Sequence, residues 1–96
     1  MRHTYHPLAR LEYIEGTKFY SNVSKTLAID FVKEVDEAIT RVRQMPHAWT
    51  PISKNCRRCL TKRFPYGIIY KVYPDYIFIV AIMHLHRDPE YWKNRI

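Results

Sequence analysis

The feature that most constrains this chain is a change of hydrophobic period at Pro46. Before it, Leu27, Phe31, Val35, Ala38, Val42 and Met45 are spaced by 4, 4, 3, 4 and 3 residues, as one face of an α-helix requires. Ala28, Val32 and Ile39 widen that stripe, and Lys33, Glu34, Asp36, Glu37, Arg41 and Arg43 occupy much of the remainder. Ser24 stands where its hydroxyl can cap the helix, and Pro46 stops it. Beyond Pro46 the pattern turns to period two and short apolar runs, which read as strands from Arg57 to Phe64, Tyr66 to Val72 and Ile77 to Met83. A helical half joined to a strand half predicts an α+β fold.

The flanking segments complete that expectation. Pro7 suits a first helical turn, and Leu8, Leu11, Ile14 and Phe19 form an imperfect helical stripe up to Tyr20. Asn22 and Ser24 interrupt it, so the two helices should pack as an antiparallel hairpin. His3 and Tyr5 alternate weakly and allow a short first strand, whereas His47 to Asn55, with Pro51, reads as a loop. Pro65 marks a bend and Tyr73-Pro74-Asp75-Tyr76 a turn. The almost wholly apolar Ile77–Met83 segment should be a central strand covered on both faces. Asp88-Pro89-Glu90-Tyr91-Trp92-Lys93 looks like a short C-terminal helical turn capped by Asp88. The expected whole is a helix hairpin on a small, three- to four-stranded antiparallel sheet, one domain over residues 1–96.

Composition narrows the functional classes. With 47% apolar residues and only two glycines, the chain is neither disordered nor collagen-like. Its formal net charge of +7 is uneven: residues 1–48 hold seven Lys/Arg and six Asp/Glu, residues 49–96 nine and three. A cationic half of this kind attracts polyanions or acidic partners. The longest apolar run, Tyr76 to Met83, is eight residues, far short of the roughly 20 a membrane helix needs. The N-terminus has no apolar signal core, and the chain holds two cysteines, so a cytoplasmic, non-membrane protein is expected.

Charge concentrates at Lys54, Arg57, Arg58, Lys62 and Arg63, on and before the first long strand. Alternation puts Arg58 and Lys62 on one face and Arg57 and Arg63 on the other, provided no bulge intervenes. Such a set either binds oxyanions, with Arg as a planar donor, or protects an edge strand from aggregation. A second cluster, His84-Leu85-His86-Arg87-Asp88-Pro89-Glu90-Tyr91-Trp92, follows the apolar strand. It contains a proton-transfer group, a cation and a phenol, the parts of a metal-free ribonuclease; the same residues also make an ordinary C-terminal cap. Cys56 and Cys59 would point to opposite faces of a strand, so their Cys-x-x-Cys spacing carries little weight, and no metal or cofactor is expected. Gly67 beside Tyr66 marks a close approach or a bulge.

At this point the residues resemble a known family. His6-Pro7-x-Ala9 with Glu12, Phe19-Tyr20, Ala28, Phe31 and Pro46 resembles the N-terminal half of RelE/ParE-superfamily toxins. The sheet half, with Arg57-Arg58, Phe64-Pro65-Tyr66-Gly67-Ile68-Ile69-Tyr70 and His84-x-His86-Arg87-Asp88-Pro89-x-Tyr91-Trp92-x-x-Arg95, is similar to the ParE-like, plasmid-stabilisation branch. The resemblance implies the toxin of a type II toxin–antitoxin module in a bacterium, bound and silenced by a cognate antitoxin in a hetero-oligomer. It implies DNA gyrase as target in the ParE-like branch, or the ribosome and its messenger RNA in the nuclease branch, where no metal is used. The expected binding residues are Lys54, Arg57, Arg58, Lys62, Arg63, His86, Trp92 and Arg95; in the nuclease alternative Arg58, His84, Arg87 and Tyr91 are catalytic. Two departures stand against that alternative, because Leu60 and Gly67 occupy positions where the nuclease branch carries cations.

Overall fold

All 96 residues are described by a computed structural model, in the order β1 (Arg2–Tyr5), α1 (Pro7–Ser21), α2 (Lys25–Gln44), β2 (Thr50–Pro51), β3 (Cys56–Leu60), β4 (Tyr66–Val72) and β5 (Tyr76–His84). A single 3-10 turn over Lys93–Arg95 closes the chain. The strands form one five-stranded sheet, ordered β1-β5-β4-β3-β2. β1 runs parallel to β5, and the other pairs are antiparallel. The fold is therefore α+β as expected, but the sheet is mixed and has five strands rather than three or four antiparallel ones. The short first strand that His3 and Tyr5 allow is present as the four-residue β1, and the strand not expected is the two-residue β2, inside the segment read as a loop. β1 carries only a weak alternation and β2 none, and each pairs along the edge of a longer neighbour.

Local chemistry accounts for the helix ends. The His6 Nδ1 accepts a hydrogen bond from the Leu8 amide at 3.0 Å, and Pro7 opens α1. The Ser24 hydroxyl accepts from the Leu27 amide at 3.0 Å, as its position suggested. The two helices then bury different kinds of residue. α2 sends Phe31, Val35, Ala38, Ile39 and Val42 into the core, as its stripe requires. In α1 the apolar stripe faces outward: Leu8, Leu11, Ile14 and Phe19 are all exposed, and the buried residues are Ala9 and Gly16. A Cβ on Gly16 would lie 2.8 Å from the Phe31 Cζ, so the glycine is what lets α1 approach so closely. Tyr20, Phe31, Phe64 and Tyr66 interlock beside it, with ring centroids 4.8–6.3 Å apart.

The sheet departs from the simple alternation at two places. β3 ends at Leu60, short of Phe64. The following turn is held by the Thr61 hydroxyl donating to the Phe64 carbonyl at 2.7 Å, and by Glu34 of α2. The Glu34 Oε1 accepts from the Lys62 and Arg63 amides at 3.0 and 2.8 Å, and its Oε2 from the Arg63 guanidinium at 2.8 Å. Glu34, placed among the solvated residues by its neighbours in sequence, is consequently buried. The second departure is a bulge: Ile69 faces Ala81 but Tyr70 faces Ile79, leaving Val80 as the extra residue of β5. Ile77, Ile79 and Ile82 then face the helices, while Val80, Ala81 and Met83 join Cys56, Ile69 and Trp92 on the opposite face. β5 is the interior strand expected from its composition, between β1 and β4.

Candidate functional site

The brevity of β1 leaves part of the β5 edge open, and a cluster of charged side chains gathers there. β1 pairs with β5 only as far as Tyr5 opposite Ile79, and the His6 amide makes one last bond to the Ile79 carbonyl. Beyond that point the edge of β5 has no strand beside it. Its backbone is met instead by side chains: the Ile82 amide donates to Glu12 Oε1 at 3.1 Å, and Arg95 Nη1 donates to the Val80 carbonyl at 3.1 Å. Glu12 reaches this edge from α1, one turn after buried Ala9 and one before buried Gly16.

Glu12 is the hub of the C-terminal tail. Arg95 grips both of its oxygens, each at 3.0 Å, in the fork-to-fork geometry that guanidinium and carboxylate share. The Tyr91 hydroxyl donates to Oε2 at 2.8 Å, and Arg87 reaches the same oxygen at 3.2 Å. The Arg87 and Arg95 guanidinium carbons lie 3.8 and 4.9 Å from the centroid of the Tyr91 ring. The side chains of Glu12 and Arg95 are 10% and 8% exposed, so the pair is held out of water. Burial, followed by the bond to Glu12, pushes the Tyr91 phenol above its usual pKa and keeps it protonated.

Arg87, Tyr91 and Arg95 are thus brought together around a carboxylate that takes the Tyr91 hydroxyl and both Arg95 Nη groups, and to which the half-exposed Arg87 gives one donor. Arg58 is not with them. It lies on the outer sheet face opposite Ile69, in a cleft shared with Trp92, whereas His84 and Arg87 line a different cleft beside Glu12, Glu15 and Tyr66. In His84, Nδ1 accepts from the His86 amide at 3.1 Å. A neutral His84 then carries its proton on Nε2, which leaves neither ring nitrogen free to take another. Burial, with the neighbouring His86 as a second cause, holds the His84 pKa below its ordinary value and favours that neutral form.

The basic set of β3 and its turn is divided in the same way. Arg57 points to the helix side, where it donates to the Trp49 carbonyl at 2.8 Å. Arg63, which strand alternation would have put on the same sheet face as Arg57, lies instead in the turn and bridges Glu34 and Asp30 of α2, at 2.8 and 3.1 Å. Lys62 is also in the turn and is exposed, as is Lys54; neither forms an ion pair. Gly67 does mark a close approach: a Cβ there would come within 3.1 Å of the Arg58 Cγ and Cδ. Cys56 and Cys59 face opposite sides of the sheet, and burial raises both thiols above their ordinary pKa, away from the reactive thiolate. The residues to which sequence reasoning gave no role in a site are Glu12, quoted only for the resemblance, and Glu34, one of several charged residues on α2. The signal for Glu12 was present in the tail, where Arg87, Tyr91 and Arg95 recur every four residues with no acid of their own on that face.

These features describe a small α+β domain whose helix hairpin covers one sheet face and whose tail is clamped to the open edge of its longest strand. Residues 4–89 match the family described as "ParE toxin of type II toxin-antitoxin system, parDE", and the chain belongs to that family. Among solved structures it is similar to a chain of "Chromosomal ParDE TA system from P. aeruginosa", with a TM-score of 0.77 at 16% identity, over 90% of this chain and 97% of the other. At that identity the likeness concerns the fold. No curated protein sequence matches the chain. No helix is long and apolar enough to cross a membrane.

Proposed function

We propose that this toxin acts by binding, as an inhibitor of DNA gyrase, and that a cognate antitoxin neutralises it in a toxin–antitoxin complex. The observation that carries the choice of binding over catalysis is the Glu12 hub. A ribonuclease of the metal-free kind needs free cations and a free acid or base at the scissile phosphate. Here Arg87 and Tyr91 are bonded to Glu12, and the His84 Nδ1 accepts from backbone. Leu60 and Gly67 supply no charge where the nuclease branch carries it. Arg58 lies in a separate cleft.

The antitoxin surface follows from the outward stripe of α1. Leu8, Leu11 and Phe19, 46%, 46% and 61% exposed, line up along one helix face, as a partner helix or strand laid across the hairpin would use them. Lys54 and Lys62, exposed and unpaired, are free to meet an acidic segment, and in this reading Arg57, Arg58, Arg63 and His86 add their charge and donors to that contact. Brief expression of the chain without antitoxin is the test. Arrest of replication with intact messages, and loss of supercoiling by purified gyrase on adding the protein, are expected. Cut messages and immediate loss of protein synthesis would instead identify a ribosome-dependent nuclease.

A further inference from the structure

Two buried hydrogen-bond donors are left without an acceptor anywhere in the protein: Arg58 Nε and Trp92 Nε1. They come from distant parts of the chain, yet both side chains line one cleft, between the outer face of the sheet and the C-terminal tail. Trp92 is 1% exposed. A buried polar group normally has a partner, because the hydrogen bond it makes to water in the unfolded chain has to be replaced. Both side chains line the cleft, and their unpaired nitrogens, one of them on a permanent cation, lie just beneath its surface, so together they describe the complement of an acceptor group that enters with a small shift of those side chains.

We propose that this cleft is a carboxylate site, which takes the side-chain carboxylate of a Glu or Asp residue presented by a protein partner. Three observations select that ligand. The first is charge: Arg58 and Lys93 contribute two positive charges and Glu90, 2.9 Å from Lys93, one negative, so the cleft balances a singly charged anion. The second is size and lining. The cleft has a volume of about 130 Å³ and apolar walls from Ile52, Ile69, Met83 and Pro89, which fit a carboxylate on a short methylene stem. The third is what a nucleic acid would need and not find. The Trp92 ring is buried and offers no face for base stacking. Arg58 is supported from behind: its stem packs against Gly67, where a Cβ would come within 3.1 Å of the Arg58 Cγ and Cδ, so the glycine makes room for that stem. The inference rests on the cleft alone and does not depend on gyrase being the target.

The test uses the full chain, labelled with ¹⁵N, because its two tryptophans provide both signal and control. Trp49 Nε1 already donates to the Arg41 carbonyl, at 3.3 Å. Titration with a short capped peptide containing Glu should move the Trp92 indole N–H resonance saturably and leave that of Trp49 in place. The same peptide with Gln in place of Glu should move neither. Arg58→Met should weaken the Glu peptide at least tenfold, and Arg58→Lys, which keeps the charge and removes Nε, should weaken it less. An unchanged melting temperature of Arg58→Lys separates loss of binding from loss of fold. The proposal is overturned by an equal response to the Glu and Gln peptides or by no response of the Trp92 resonance. It is also overturned if inorganic phosphate binds as well as the Glu peptide, or if a single-stranded oligonucleotide binds more tightly; the latter would reassign the cleft to nucleic acid.

Discussion

The two helices of the hairpin carry comparable apolar content and use it in opposite ways. In α2 the large residues Phe31, Val35 and Val42 are fully buried, and the exposed face is charged. In α1 the large aliphatic residues Leu8, Leu11 and Ile14, with Phe19, are on the outside, and contact inward is made through the small Ala9 and Gly16, the polar Glu12, and the half-buried rings of Tyr13 and Tyr20. The difference shows that an apolar stripe reports burial somewhere, and not necessarily in the same chain. A helix that packs through small residues approaches closely and gains dispersion contacts with little side-chain area. Its large residues are then free for another surface. α2 is a helix of the core, and α1 is a helix of the interface.

That contrast can be broken from its α2 side first. Phe31→Ala removes a fully buried ring that touches Tyr13, Tyr20, Phe64 and Tyr66, and the loss expected is about 3–5 kcal/mol of unfolding free energy by chemical denaturation. A loss below about 1 kcal/mol would mean that α2 is not the core helix. Next is the polar contact of α1. Glu12→Ala strands the nearly buried Arg95 guanidinium without its carboxylate, at a cost of about 3–5 kcal/mol if the site cannot rearrange. Release of the tail should also expose Trp92 and red-shift its fluorescence, whereas an unchanged spectrum would refute the clamp.

Smaller effects sharpen the comparison. Gly16→Ala forces a methyl to within 2.8 Å of Phe31 and should lower stability by about 1–3 kcal/mol through overpacking, despite the better helix propensity of Ala. A stabilised Gly16→Ala protein would show that the close approach is not required. Acid provides a fourth probe, at Glu34. Burial alone would raise this carboxyl, but the hydrogen bonds and charge of Arg63 and the Lys62 amide more than offset that, so its pKa in the folded protein is depressed. The stability this confers is fully present above the unfolded-state pKa and is lost as pH falls through the depressed native value. Glu34→Gln should therefore lower the melting temperature at neutral pH and flatten its decline on acidification; a parallel decline in both proteins would argue against the assignment. Least costly to the fold is Leu11→Gln on the outer face of α1, with an expected change below about 1 kcal/mol but at least a tenfold loss of antitoxin affinity by calorimetry.

How much of this was legible in the sequence differs between the same regions. The α2 stripe, the Ser24 cap, the Pro46 stop, the Tyr73–Asp75 turn and the apolar β5 are local signals, and each stands where it was expected. The strand expected to reach Phe64 stopped at Leu60, because the Lys62 and Arg63 amides are bound by Glu34, a residue of α2 and not of the strand. The outward face of α1 was hidden for a related reason. Its apolar residues outnumber the small ones that make the actual contact, and periodicity weighs size and hydropathy, not closeness of approach. Of the expected site residues, Arg87, Tyr91 and Arg95 converge on Glu12, Arg58 and Trp92 share a second cleft, and Arg57 and Arg63 are engaged elsewhere.

By itself, then, the sequence determined which segments are helix and which are long strand, where the helices stop, that their core is apolar, and that the second half is cationic. Those properties follow from interactions within a few residues, where backbone geometry and side-chain period are coupled directly. The tertiary structure decided the rest: the parallel pairing of β1, the Val80 bulge, the face that α1 turns to the sheet, and above all what each arginine is for. An arginine in a sequence is a charge. Its role depends on whether a carboxylate arrives beside it from another part of the chain. Glu12 meets Arg95 and Glu34 meets Arg63, while none reaches Arg58, whose Nε is left to receive an acceptor from outside.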